Sequence, residues 1–390
     1  MSFTVFMPTK WIFGAGALNE LGKQTLPGKK ALLVISNGKS TKENGYLYRV
    51  IEQLAHQGAE HILFDKIEAN PLKTTVMEGA EYAKSNGCDF IVALGGGSVM
   101  DASKAIAAMV TNDGDLWDYI SGGTGKGLAL KNNPLPIVAI TTTAGTGSEV
   151  DQWGVISNEK TNEKIGFGGY DSLFPVLAIV DPELMTSVPP KFTAYQGFDA
   201  LFHSTEVYIS KFANSFSDMV ALTAIENVAK NLAKAVSNGA DLTAREKVAF
   251  ANTLSGYSMV TGACTSEHAM EHAMSAYHHD LPHGAGLIMI SKAYYQHFVD
   301  LHICDERFIK MAQVMGMSEA DKAQDFITML DKLQKDCGVD DLKMSAYGFS
   351  TDEFGTLAEN ARATMGGLFM SDPVDLSNEE IGRASCRERV

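Results

Sequence analysis

Between residues 268 and 284 the chain reads HAMEHAMSAYHHDLPHG, which carries five of its ten histidines. His268 and His272 stand four apart, and His283 follows in LPHGAG. Upstream, GFDALFHSTE sets Asp199 and His203 at the same spacing, so on a helix each pair shares one face and can meet one ion. One carboxylate with three imidazoles suits a borderline divalent ion such as Fe²⁺ or Zn²⁺, not an all-oxygen ion such as Ca²⁺. A lone histidine pair at this spacing is more often packed or hydrogen-bonded. The histidine density, the second pair and the absence of cysteine ligands favour metal. Ala269 follows His268 and Glu271 precedes His272, so the zincin pattern HExxH is absent.

A second chemistry is written at strand ends. FIVALGGGSVMDASK runs from an apolar strand through Gly95, Gly96 and Gly97 to Ser98 and a helix, where backbone N–H groups and the helix dipole can receive a pyrophosphate. Met100 occupies the third position of a GxGxxG, so the Rossmann pattern is incomplete. LPIVAITTTAGTGSEV adds Thr142, Thr143 and Thr146 at another strand end, although such hydroxyls also cap helices for structural reasons. After LLVIS stands Gly38, with no carboxylate for a ribose 2′-hydroxyl, then Ser40, Thr41 and Lys42. That set would accommodate a 2′-phosphate and favours NADP(H); an exposed turn is the plain alternative. GAGALNELG and GGTGKGLAL lack the residues of a dinucleotide fingerprint and a P-loop, respectively.

These residues need a scaffold. From about residue 30, KKALLVIS, AEHILFD, CDFIVALGGG, LPIVAITTT and PVLAIVD are near-continuous apolar runs separated by amphipathic stretches, the pattern of a parallel sheet covered on both faces. After VDPELMTSVPP the periodicity turns helical. The expected architecture is an α/β N-terminal doubly wound parallel sheet domain over residues 1–187 and an all-α domain over residues 188–381. GRASCRERV, residues 382–390, breaks the helical pattern with three arginines and reads as a probable non-native tail.

A formal charge of −15 argues against a nucleic-acid or anionic-membrane surface. Five scattered cysteines without a CxxC pair fit a reducing compartment. No secretory or membrane segment is evident, so a cytoplasmic location is expected.

Together, GGGSVMDASK, TTAGTGSE, VDPELMTSVPP, GFDALFHSTE and HAMEHAMSAYHHDLPHGAGL resemble the iron-containing (group III) alcohol dehydrogenase family, of dehydroquinate synthase-like architecture, to about residue 381. The resemblance implies a divalent metal, Fe²⁺ or Zn²⁺, on Asp199, His203, His268 and His283. It implies a cofactor, preferably NADP(H), against Gly38, Ser40, Asn70, Gly96, Gly97, Ser98, Asp101, Thr142, Thr143, Thr146 and Lys164. His272 matches a histidine near the nicotinamide and is the expected catalytic residue, relaying the hydroxyl proton. The expected reaction interconverts primary alcohols and aldehydes in a homo-oligomer, a dimer. The alternatives are NAD-linked polyol oxidation as in glycerol dehydrogenases, dehydroquinate synthase-like elimination, and a non-catalytic metal and nucleotide sensor. The stretch from His268 to His283 is one residue longer than in several members, leaving His278 and His279 without a role. Gln196 stands where a small residue is usual.

Overall fold

The computed structural model describes residues 2–381; the tail at 382–390, with Cys386, lies outside the described residues. The described chain divides into two compact units, Met7–Ser187 and a second made of residues 2–6 with residues 188–381.

The first unit holds a six-stranded, all-parallel sheet in the order β1-β8-β5-β4-β2-β3. Its strands are β1 (Lys10–Phe13), β2 (Lys30–Ser36), β3 (Glu60–Ile67), β4 (Phe90–Gly95), β5 (Ile137–Thr141) and β8 (Leu177–Val180). The helices are α1 (Ser40–Glu43), α2 (Tyr46–His56), α3 (Lys73–Ser85) and α4 (Gly97–Thr111). β4, β5 and β8 are buried along their whole length, as the apolar runs require. Leu33, Ile35, Val92, Leu94, Val138 and Ile140 face one side of the sheet, where Val50 and Leu54 of α2 pack on them. Intervening Leu32, Val34, Ile91 and Ala93 are equally buried, and α4 lies against β2, β4 and β5. Each such leucine, isoleucine or valine contributes about 1.5–3 kcal/mol when fully buried. Gly79 lets α3 approach: a Cβ there would stand 2.7 Å from Ile106 Cδ1.

The chain runs outward from β2 to β3 and returns to β4 on the other side of β2. That reversal makes the carboxyl ends of β2 and β4 the switch point where open parallel sheets receive ligands. Beside the sheet lies an antiparallel hairpin, β6 (Trp153–Asn158) with β7 (Glu163–Gly168). Neither β1 nor this hairpin shows in the apolar pattern, because β1 is four residues at a sheet edge and the hairpin turn is charged.

The second unit comprises α5 (Pro190–Ile209), α6 (Ser215–Ser237), α7 (Leu242–Thr261), α8 (Ser266–Tyr277), α9 (His283–Asp300), α10 (Asp305–Met315), α11 (Gln324–Asp336) and α12 (Phe354–Phe369). α5 opens on Pro190, whose missing N–H costs nothing in the first turn. Asn214 caps α6 in a reciprocal box with Ser217. α5 is enclosed by α6, α7 and α9, and α8 by α9 and α12, so the polar residues of α5 and α8 are carried into the interior. Among the described residues no helix is long and apolar enough to cross a membrane.

Candidate metal centre and dinucleotide cradle

In the helical unit, three helices converge on one carboxylate. α5 carries Asp199 and His203 a turn apart, α8 carries His268 and His272, and His283 is the first residue of α9. Asp199 Oδ1 lies 3.3 Å from His203 Nδ1, 3.3 Å from His268 Nε2 and 3.5 Å from His283 Nε2. The His203 and His268 rings stack with centroids 4.1 Å apart. His272 stands beside them, its ring centroid 6.2 Å from that of His268 and 5.4 Å from that of His283. The side chains of Asp199 and His268 are 6% and 5% exposed while that of His283 is 23% exposed, so access is from the His283 side.

Two carboxylates stand behind this cluster, and sequence reasoning missed both. His268 Nδ1 donates to Glu206 Oε1, whose other oxygen accepts the Thr265 N–H at 2.8 Å and the Thr265 hydroxyl at 3.0 Å. His283 Nδ1 donates to Glu271 Oε2. Both glutamates are fully buried. The signal was present: HSTE and HAME repeat a His-x-x-Glu spacing on two helices, yet each glutamate serves a histidine of a different helix. A ring whose Nδ1–H is held by a carboxylate offers the Nε2 lone pair, the arrangement common behind metal-bound histidines. The converging O and N donors therefore fit a borderline divalent ion. Asp199, His268 and His283 place ligand atoms within 4.8 Å of one another, as do His203, Cys264 and His268, and Glu271, His272 and His283.

Burial alone would raise the Asp199 carboxyl, but the charges of His203 and His283 and the His268 bond hold it well below the carboxylate range. Burial opposes charge on His268; Glu206 and Asp199 outweigh it and raise the imidazole well above its usual value. An ion binding Nε2 must displace that proton. His278, without an expected role, stacks on Phe349 with centroids 3.8 Å apart and reaches Glu353 at 3.2 Å; His279 is exposed. The setting of His278 is that of packing.

In the α/β unit, the two glycine-rich strand ends interlock. A Cβ on Gly96 would stand 2.8 Å from Thr143 Oγ1, and one on Gly97 would press into the Thr146 side chain. The Thr142 N–H donates to Gly95 O at 2.9 Å. Gly96, Gly97 and Ser98 thus open α4 directly beside Thr142, Thr143 and Thr146. Gly38 follows β2, and Ser40 begins α1. Lys42 is not free there: it pairs with Asp65 at 2.5 Å. Asn70 follows β3 with a left-handed backbone, φ 55.

Asp101 and Lys164 are buried. Asp101 accepts the Ser148 hydroxyl at 2.7 Å and the Val155 N–H at 2.9 Å, clamping β6 to α4. Burial pushes its carboxyl up to about 6, against the pull of Lys104. Lys104, which sequence reasoning did not single out, donates to Ser148, Asp151 and the Trp153 carbonyl at 2.8, 2.6 and 2.6 Å. Lys164 pairs with Ser157 across the hairpin.

The family described as iron-containing alcohol dehydrogenase matches residues 8–182, and the C-terminal family of Fe-containing alcohol dehydrogenases matches residues 193–383. A 1,3-propanediol dehydrogenase of Klebsiella pneumoniae is 35% identical, covering 98% of both chains. An NAD-dependent methanol dehydrogenase of Bacillus methanolicus is 31% identical over 91% of this chain and 92% of that one. The crystal structure of an archaeal halo-thermophilic Red Sea brine pool alcohol dehydrogenase, bound to NZQ, superposes with a TM-score of 0.93 at 34% identity, covering 99% of each chain.

Proposed function

The chain belongs to the iron-containing alcohol dehydrogenase family of oxidoreductases, and from that premise we propose that it interconverts primary alcohols and aldehydes with NADP(H) at a divalent ion, Fe²⁺ before Zn²⁺. The observation that carries this reading is the approach of three imidazoles from three helices to within 3.5 Å of Asp199 Oδ1. Asp199, His203, His268 and His283 would hold the ion. When bound, the ion supplies Lewis acidity to the substrate oxygen and the nicotinamide gives or takes the hydride. Asp199 lowers the net charge of the site, and the buried glutamates behind His268 and His283 keep Nε2 turned toward it. His272, buried beside His283, receives or returns the hydroxyl proton, since an imidazole titrates near neutrality.

The cofactor would meet Gly38, Ser40, Asn70, Gly96, Gly97, Ser98, Asp101, Thr142, Thr143, Thr146 and Lys164. Support for NADP(H) comes from Gly38. Its Cβ would meet only Ser36 Oγ at 3.5 Å, ordinary contact, so the fold itself does not demand glycine. Lys42 is drawn from Asp65 at small cost, because an exposed pair is worth about 1 kcal/mol or less.

A cytoplasmic location and a homodimer belong to the same proposal. Among the described residues Cys88, Cys264, Cys304 and Cys337 form no disulfide, in keeping with a reducing compartment, and sedimentation tests the dimer. The deciding assay follows NADPH and NADH in parallel with a panel of alkanals, alcohols, 1,3-propanediol and glycerol, before and after chelation and metal add-back. Metal-dependent turnover of aldehydes, faster with NADPH, is expected. Cofactor binding without turnover on any of them would leave the sensor reading in its place.

A further inference from the structure

We propose that Glu271 is a positioning residue that fastens His283 as a metal ligand; the inference rests on the metal reading above. His283 is the most exposed of the four candidate ligands. It is the first residue of α9, where no complete helical turn precedes it, and its side chain is the most exposed of the three whose ring or carboxylate meets at Asp199 Oδ1 from α5, α8 and α9. Its ring could turn either nitrogen to Asp199. The bond from Nδ1 to Glu271 Oε2 decides the matter, leaving Nε2 3.5 Å from Asp199 Oδ1.

The surroundings of Glu271 are built for this contact. The side chain is fully buried on α8, three residues after His268. A carboxylate so far from water is costly unless a hydrogen-bonded, positively polarised partner compensates it. α9 yields space through Gly286: a Cβ there would stand 2.7 Å from Glu271 Cγ and 3.0 Å from Oε1. Gly286 has no positive-φ backbone to explain it. The second glycine of LPHGAG is thus accounted for by the carboxylate that passes it.

The test is metal affinity of the full chain by chelator competition, with Co²⁺ and Zn²⁺, for wild type, Glu271→Gln and Glu271→Ala. Glutamine keeps an oxygen that can accept the His283 Nδ1–H; alanine does not. Glu271→Ala should bind about 10–100-fold more weakly, as loss of an outer-shell partner does, with an altered Co²⁺ ligand-field spectrum. Glu271→Gln should lie nearer to wild type than to alanine. Should alanine fail to fold, Gly286→Ala displaces the carboxylate without removing it and should weaken binding likewise. Wild-type affinity and spectrum in Glu271→Ala would overturn the proposal. So would equal loss in Gln and Ala, which would show that Glu271 acts through its charge and not by holding the ring. A wild-type chain that binds neither ion would instead refute the metal reading itself.

Discussion

Asp199 Oδ1 lies 3.3 Å from His268 Nε2, although the two residues are 69 positions apart in the chain. No local sequence rule joins them; the fold of the helical unit, which brings side chains of α5 and α8 together, does. Asp199→Asn removes the one anion that all three rings address. Metal affinity should fall by at least the roughly 10–100-fold that loss of an outer-shell partner costs, and the metal retained through purification should fall with it. Retained stoichiometric metal, read by elemental analysis, would contradict the ligand assignment.

Ion binding should also appear as stability. A ligand that binds only the folded state at 100 times its Kd adds about 2.7 kcal/mol. Chelation should therefore lower the Tm, and add-back of Fe²⁺ or Zn²⁺ should restore it. A Tm indifferent to chelator and metal would argue against a tight site at these residues.

The interlocked glycines make a packing prediction. Gly97→Ala drives a methyl into the Thr146 side chain, and overpacking of this kind costs about 1–3 kcal/mol. The substitution should weaken NADPH binding, measured by cofactor fluorescence, and lower stability in urea. Thr146→Ser in the same chain removes the opposing methyl and should recover part of the loss.

Asp101 gives a pH dependence with a definite sign. Its folded-state carboxyl is raised to about 6 from 3.8, so the folded form binds the extra proton. Its stabilising contribution is complete below the unfolded value and is lost as pH rises through about 6, a span worth about 3 kcal/mol. Comparing urea unfolding of wild type and Asp101→Asn across this window isolates the effect: the difference should change between about pH 4 and pH 6 and stay flat above. Asp199 is shifted in the opposite direction and is common to both chains. A difference that does not vary with pH would show that Asp101 is not the raised group.

Cofactor choice is tested at Gly38. Gly38→Asp places a carboxylate against the 2′-phosphate and within reach of a ribose hydroxyl. The ratio of kcat/KM for NADPH over NADH should fall by on the order of tenfold or more, since one charge-assisted contact is worth about 1.5–3 kcal/mol. If wild type already prefers NADH, the reading of Gly38 fails.

Much of this was legible in one dimension, and the reason is periodicity. The apolar runs at β2, β4, β5 and β8 announce strands buried on both faces, that of β3 announces a strand that lies half-buried at the sheet edge, and the glycines after β4 mark where a backbone must approach something closely. Asp199 with His203, and His268 with His272, announce shared helix faces. What local pattern could not carry is partnership across elements. β1 and the β6–β7 hairpin are too short or too polar to stand out, and nothing local announces that the Asp101 oxygens also accept from Ser148 and Val155. Glu206 and Glu271 each lie three residues after a histidine on their own helix, yet they bond His268 on α8 and His283 on α9. Sequence alone determined which side chains exist and which face of a helix they share, because 3.6 residues per turn is a local constraint. Only the tertiary structure decided which carboxylate holds which imidazole, because that depends on which buried faces meet.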